Sequence, residues 1–238
     1  MRDAEIDAAL EGAARVPHEV PAGLLRRIAD AIEPTVLPVR PLPPTWVLAT
    51  GLVAIATAVA VIGAAWSGFQ GVRALGPWAR LLIFGTLGVL GSLTAAQAVA
   101  EWIPGSRRWL SPGRLLATVI VTLLTAFGVL FHDYQSDHFV SSGLRCLVTG
   151  TLYAVPAGLL GGSLLRRGWA LDPISAGLVA GVLAGLAGVT MLELHCSNFE
   201  APHLLVWHTA VVPTSGAIGA AIGWVVRDRR WNRAVRGP

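Results

Sequence analysis

The sequence predicts an all-α membrane protein: a bundle of six transmembrane helices behind a short N-terminal cytoplasmic segment, with both termini inside. Three observations carry that reading. Six apolar runs, Trp46–Trp66, Pro77–Ala100, Gly113–His132, Gly143–Leu165, Pro173–Leu194 and His203–Val226, hold 20 to 24 residues each, and a helix needs about 20 to cross a bilayer. Only 13% of residues are charged and the mean hydropathy is +0.62, against about 25% charge in ordinary soluble domains. The basic residues, 18 arginines with no lysine, are distributed unevenly across the six runs.

Residues 1–45 read as a cytoplasmic tail. They carry seven acids and five arginines and lack the apolar core and small-residue cleavage site of a signal peptide. Ile6, Leu10 and Ala13 recur at helical spacing. After Pro17 and Pro21, so do Leu24, Leu25, Ile28 and Ile32. Five prolines between Pro34 and Pro44 make a semi-rigid spacer before the first run. Helices this short cannot bury a core by themselves. The tail is therefore either solvated or a segment that folds onto a cytoplasmic partner through Leu10, Leu24, Leu25, Ile28 and Ile32.

Residues 46–238 read as the transmembrane domain. Counting arginines on alternate sides puts fifteen with the two termini and the second and fourth loops, and leaves Arg73, Arg80 and Arg145 opposite. The positive-inside rule then places both termini in the cytoplasm of a bacterial inner membrane, with lipids as the surrounding partner. Trp46, Trp66, Trp78, Trp102, Trp109, Trp169 and Trp224 lie near run ends, where indoles favour the interface. The arginines, and with them the pI of about 10.0, are thus explained by topology, and no direct nucleic-acid contact is expected.

Within the fifth run Gly177, Gly181 and Gly185 recur every fourth residue, with Gly188 beyond them, and the sixth offers Gly219 and Gly223. Small residues at that spacing let helix backbones approach closely. Pro156 and Pro213 fall inside the fourth and sixth runs and are expected to kink them. Arg80, Arg114, Arg145 and Glu193 sit near run ends, where long side chains can snorkel to the interface. No charge lies at the middle of a run, which disfavours a path for a polar solute. No enzyme is expected, because no H-E-x-x-H, G-x-S-x-G, P-loop or intramembrane aspartate pair occurs.

Histidine and cysteine are concentrated at the outer ends. His132, His138, His195, His203 and His208, with Cys146 and Cys196, gather there, while His18 alone lies in the tail. The densest block runs from His195-Cys196 to Trp207-His208. Imidazole with thiolate suits zinc, copper, cadmium or mercury ions. Cys146, Cys196, His195, His203 and His208 are therefore the candidate ligands for such an ion acting as a signal, with no obligatory cofactor implied. In a regular helix starting near Pro202, His203 and Trp207 share one face and His208 is offset. Cys146 opens the fourth run and Cys196 closes the fifth, so antiparallel helices bring them to one level. A structural disulfide, a dithiol sensor and a metal site all remain compatible with that arrangement, and interfacial histidines can also simply meet water and headgroups.

Six spans, a short N-terminal segment, Cys146 at the start of the fourth span, Cys196 fifty positions later, and His203 with Trp207-His208 resemble the bacterial membrane anti-sigma family called negative regulator of sigma F. The resemblance implies a protein that holds an extracytoplasmic-function sigma factor inactive at the membrane and frees it under stress. It also implies that Cys146 and Cys196 respond to heavy metals, while a redox signal is expected from the paired thiols themselves. The tail matches no motif of its own and lacks the His-x3-Cys-x2-Cys signature of zinc-containing anti-sigma domains, so sigma-factor binding by residues 1–45 follows from layout. The alternative is a metal or small-solute transporter with the outer His/Cys cluster as its entry site.

Overall fold

The computed structural model describes residues 42–135, 138–165, 168 and 170–236, with the backbone alone at 230 and 233–236, together with positions 23, 26, 27 and 30. Leu10, Leu24, Leu25, Ile28 and Ile32 lie outside the described residues, as do His18, Arg166, Arg167 and Trp169. The chain divides into two units, Met1–Pro41 and Leu42–Pro238. In the first, Gly23, Arg26, Arg27 and Asp30 are helical and exposed.

The second unit holds six helices long and apolar enough to cross a membrane: α1 (Thr45–Ser67), α2 (Pro77–Trp102), α3 (Pro112–Leu130), α4 (Phe139–Leu165), α5 (Pro173–His195) and α6 (Ala201–Arg229). No strand occurs among the described residues. α6 opens with Ala201–His203 and a π turn over Leu204–His208, and the regular helix that follows, Thr209–Arg236, runs past the apolar span.

Local chemistry sets the ends. Proline at the start of α2, α3 and α5 brings a preset φ where its missing N–H costs nothing. Asp172 caps α5, its carboxylate accepting from the backbone N–H groups of Ile174 and Ser175 at 3.1 and 3.4 Å. The Ser175 hydroxyl donates to the same carboxylate at 2.6 Å and holds it below the usual carboxylate range. α4 begins at Phe139, four residues before the apolar run. Ser141 and Ser142, which interrupt the hydropathy, join the helix by donating their hydroxyls to the His138 carbonyl at 3.2 and 2.9 Å.

α5 is the most buried of the six helices, and glycine explains how it takes several neighbours at once. α5 and α6 run antiparallel, with Gly177 against Gly219 and Gly181 against Ser215. A Cβ at Gly219 would stand 2.1 Å from the Gly177 carbonyl oxygen, and one at Gly181 would stand 2.3 Å from that of Ser215. Backbone therefore lies directly on backbone along this seam. On its other side Gly188 meets Gly150 of α4 in the same way.

Successive loops alternate between the two ends of the bundle. At one end His195 Nδ1 lies 3.2 Å from the Gly68 carbonyl, and Ala201 N donates to the Asp133 carbonyl at 2.6 Å, which joins the first, third and fifth loops. At the opposite end Gly168 packs under the Trp102 carbonyl. There Gln97 pins the second loop: its Oε1 accepts from Trp109 N at 3.3 Å, and its Nε2 donates to the Leu110 carbonyl at 2.8 Å. Beside it the buried Glu101 pairs with Arg108 at 3.1 Å.

Candidate functional site

Three helix ends bring the site together. α4 supplies Cys146 two turns from its start, and Cys196 caps the C-terminus of α5, its N–H donating to the Leu192 carbonyl at 2.6 Å. α6 supplies His203 and His208. Five residues advance an α-helix by about 1.4 turns, which separates such residues onto different faces. Here Thr209 N reaches back five residues to the Leu204 carbonyl, and this wider turn swings His208 towards His203. The two rings stand 5.2 Å apart between centroids, tilted by 69°.

The expectation that His208 is offset from His203 is corrected by that turn, which brings the two rings together. The Trp207 indole packs on Phe139, with centroids 5.5 Å apart, and over Gly143, where a Cβ would stand 2.0 Å from its Nε1.

Cys146 Sγ and Cys196 Sγ lie 3.8 Å apart, and both are free thiols. Cys196 Sγ lies 3.8 Å from His203 Nε2. One ligand atom from each of Cys146, Cys196, His203 and His208 falls within 4.8 Å of the other three. Both imidazoles are fully buried, and both thiols are partly exposed.

Glu193 completes the arrangement. Its Oε1 lies 2.6 Å from His208 Nδ1, and neither side chain is exposed. When Nδ1 donates to the carboxylate, the lone pair of the neutral ring lies on Nε2. His208 Nε2 and His203 Nδ1 are buried without a hydrogen-bond partner. The sequence suggested that Glu193 snorkels to the interface; in the structure it is enclosed, one turn before Cys196 on the same helix. A carboxylate three residues ahead of a cysteine in an otherwise apolar helix was the available signal.

The remaining candidates separate from this group. His195 points to the Gly68 carbonyl and is absent from the four-residue cluster. His132 and His138 are exposed in the loop before α4, where His138 adopts a φ of 58°.

The family model described as negative regulator of sigma F matches residues 35–231. That stretch takes in all six spanning helices and the whole cluster. The chain belongs to this family. No curated protein and no solved structure matches it. Membership makes the chain a negative regulator with a sigma factor as its partner. Leu10, Leu24, Leu25, Ile28 and Ile32 precede the matched stretch, so these five take no support from it.

Between the two ends, the cavity of about 190 Å3 among α1, α2 and α5 is lined by apolar side chains and two threonines, Thr57 and Thr190. This lining offers none of the charged or strongly polar groups with which membrane proteins mark a solute pathway.

Proposed function

We propose that the protein is a multi-pass anti-sigma factor of the bacterial inner membrane. It sequesters an extracytoplasmic-function sigma factor at the cytoplasmic face and releases it when Cys146 and Cys196 meet a periplasmic soft metal ion or oxidant. The observation that carries the reading is the family match over residues 35–231 with two free thiols 3.8 Å apart inside it. The arginine count supports sidedness, with fifteen arginines by the termini and even loops and three opposite. The thiols then face out, and residues 1–45 hang in the cytoplasm as the sigma-binding segment.

The thiols have two responses available. A soft cation can bridge both sulfurs, each thiol losing its proton. A two-electron oxidant can instead join them as a disulfide, releasing two protons. Either event ties α4 to α5 at one end, and the glycine-lined contacts among α4, α5 and α6 offer a route for a helix shift to the other. A tenfold fall in sigma-factor affinity requires the signal to favour the releasing state by about 1.4 kcal/mol, well within the reach of a metal–thiolate bond.

The test is a reporter transcribed by the cognate sigma factor. Cys146→Ser and Cys196→Ser should each repress the reporter as wild type does at rest and fail to release it under cadmium or oxidant. If both variants respond as wild type does, the thiols are incidental to signalling.

A further inference from the structure

We propose that Cys146, Cys196, His203 and His208 form a closed four-coordinate site for a divalent cation of the zinc class, with Glu193 as the residue that positions His208. The inference deepens the sensory reading of the two thiols and rests on it for its biological meaning. Its physical grounds are separate.

The first ground is spacing. Tetrahedral zinc holds sulfur at about 2.3 Å and nitrogen at about 2.0–2.1 Å, so two sulfurs on one ion stand about 3.8 Å apart and a sulfur and a nitrogen about 3.6 Å apart. The two sulfurs here lie 3.8 Å apart, and Cys196 Sγ to His203 Nε2 is also 3.8 Å. All four ligand atoms fit within 4.8 Å of one another. Two of the distances thus match the edges of a coordination tetrahedron, and the others, at up to 4.8 Å, need about 1 Å of closure around an ion.

The second ground is the unspent hydrogen-bonding capacity. His208 Nε2 is buried with no hydrogen-bond partner, although its Nδ1 is held by Glu193 at 2.6 Å. A carboxylate on one imidazole nitrogen fixes the tautomer, aims the ring and leaves the other nitrogen's lone pair for a metal. Burying that nitrogen unsatisfied carries a desolvation cost that a bond to a cation removes.

The third ground is the choice of donors. Two thiolates and two imidazoles select borderline or soft ions over magnesium and calcium, which want oxygen. Four protein ligands leave no open position, the pattern of a structural or regulatory ion. Because the ligands come from α4, the end of α5 and the start of α6, one ion would fasten three helix ends. Ligation also occupies both sulfurs, so the metal-bound and disulfide states exclude each other.

The experiment uses the full chain, reduced and purified in detergent, with no sigma factor present. Cobalt(II) serves as the spectroscopic probe and zinc(II) as its competitor. Wild type should take up one cobalt per chain, with the ligand-field bands of a tetrahedral ion and thiolate charge-transfer bands, and zinc should bleach both. Cys146→Ser and Cys196→Ser should each lower the charge-transfer intensity. His203→Gln and His208→Gln should alter the ligand-field bands. Glu193→Gln should keep the wild-type spectrum while weakening zinc binding by about 10–100-fold, a split that a merely structural residue would not give. His195→Gln should match wild type.

Wild-type protein with both thiols reduced that takes up no cobalt, or binds it with an octahedral spectrum, overturns the proposal without reference to any variant. Unchanged spectra in both histidine variants overturn the ligand set. Cobalt uptake without any transcriptional response to metal keeps the site and refutes the sensory reading. A thiol-dependent response without uptake does the reverse and leaves a dithiol–disulfide switch.

Discussion

Oε1 of Glu193 lies 2.6 Å from Nδ1 of His208, and neither side chain reaches solvent. A carboxylate enclosed this way keeps its place only while its partner does, because each satisfies a polar atom the other would strand. Glu193→Leu alone should therefore destabilise the detergent-solubilised protein by about 1–3 kcal/mol, the cost of leaving the buried His208 donor unmet. Glu193→Leu with His208→Leu should cost clearly less than the sum of the two single changes. Unfolding followed by tryptophan fluorescence measures the cycle, and additivity within about 0.5 kcal/mol would mean the pair is not coupled.

The π turn supplies the second expectation. Trp207 occupies the space that Gly143 leaves open, and a Cβ there would stand 2.0 Å from its Nε1. Gly143→Ala should push the indole off α4 and disturb the turn that carries His203 and His208, at an overpacking cost of about 1–3 kcal/mol. Shrinking the ring with Trp207→Leu in the same chain should restore thiol-dependent signalling. If Gly143→Ala signals normally by itself, the Trp207 contact does not hold the histidines in place.

The six spanning helices were legible because length and apolarity alone report a bilayer crossing, and the runs lie within or close to the helices that formed. Their ends were less so, since Ser141 and Ser142 look like loop residues until their hydroxyls return to the His138 carbonyl. At the site, residue types and approximate depth could be read from Cys146, Cys196, His203 and His208. Two features could not. The i→i+5 turn that swings His208 towards His203 leaves no mark in a helical pattern read at 3.6 residues per turn. The spacing of Glu193 to Cys196 marks the carboxylate as unusual, but its partner His208 lies fifteen residues away across the bundle, and local spacing does not name that partner. His195 shows the converse: adjacent to Cys196 in sequence, it ends on the Gly68 carbonyl.

Sidedness is open to direct measurement. In a chain with both native cysteines replaced by serine, single cysteines at Arg73→Cys, Tyr134→Cys and Ser197→Cys should react with an impermeant maleimide on intact spheroplasts. Arg107→Cys and Leu171→Cys should react only after lysis. Labelling of the last two from outside would reverse the topology and remove the thiols from the periplasm.

Sigma-factor binding is expected to reside in residues 1–45, where Leu24, Leu25, Ile28 and Ile32 recur at helical spacing. Leu25→Asp with Ile28→Asp should abolish capture of the sigma factor in a pull-down and make the reporter constitutive, since charges at central apolar contacts cost several kcal/mol of binding, about 2 or more per hot spot. Equal capture by wild type and by a chain lacking residues 1–40 would move the binding surface to the even loops, where Gln97, Glu101 and Arg108 already order one candidate.

The last expectation concerns how an event at Cys146 and Cys196 reaches the far end. α5 and α6 touch backbone to backbone at Gly177 and Gly219, with no side chains between them to absorb a displacement, so a shift of α6 at His203 must move the opposite end of the seam as well. Gly219→Ala places a Cβ 2.1 Å from the Gly177 carbonyl oxygen, and the helices must separate to admit it. The variant should keep its thiols reactive at the outer end yet lose at least tenfold of the metal-induced change in reporter output, equivalent to about 1.4 kcal/mol of coupling. Gly85→Ala in α2, where a Cβ meets nothing within 4 Å, is the control and should signal as wild type does. A Gly219→Ala chain that folds, with normal thiol reactivity and a full response, would show that the signal bypasses the α5–α6 seam and travels through α4.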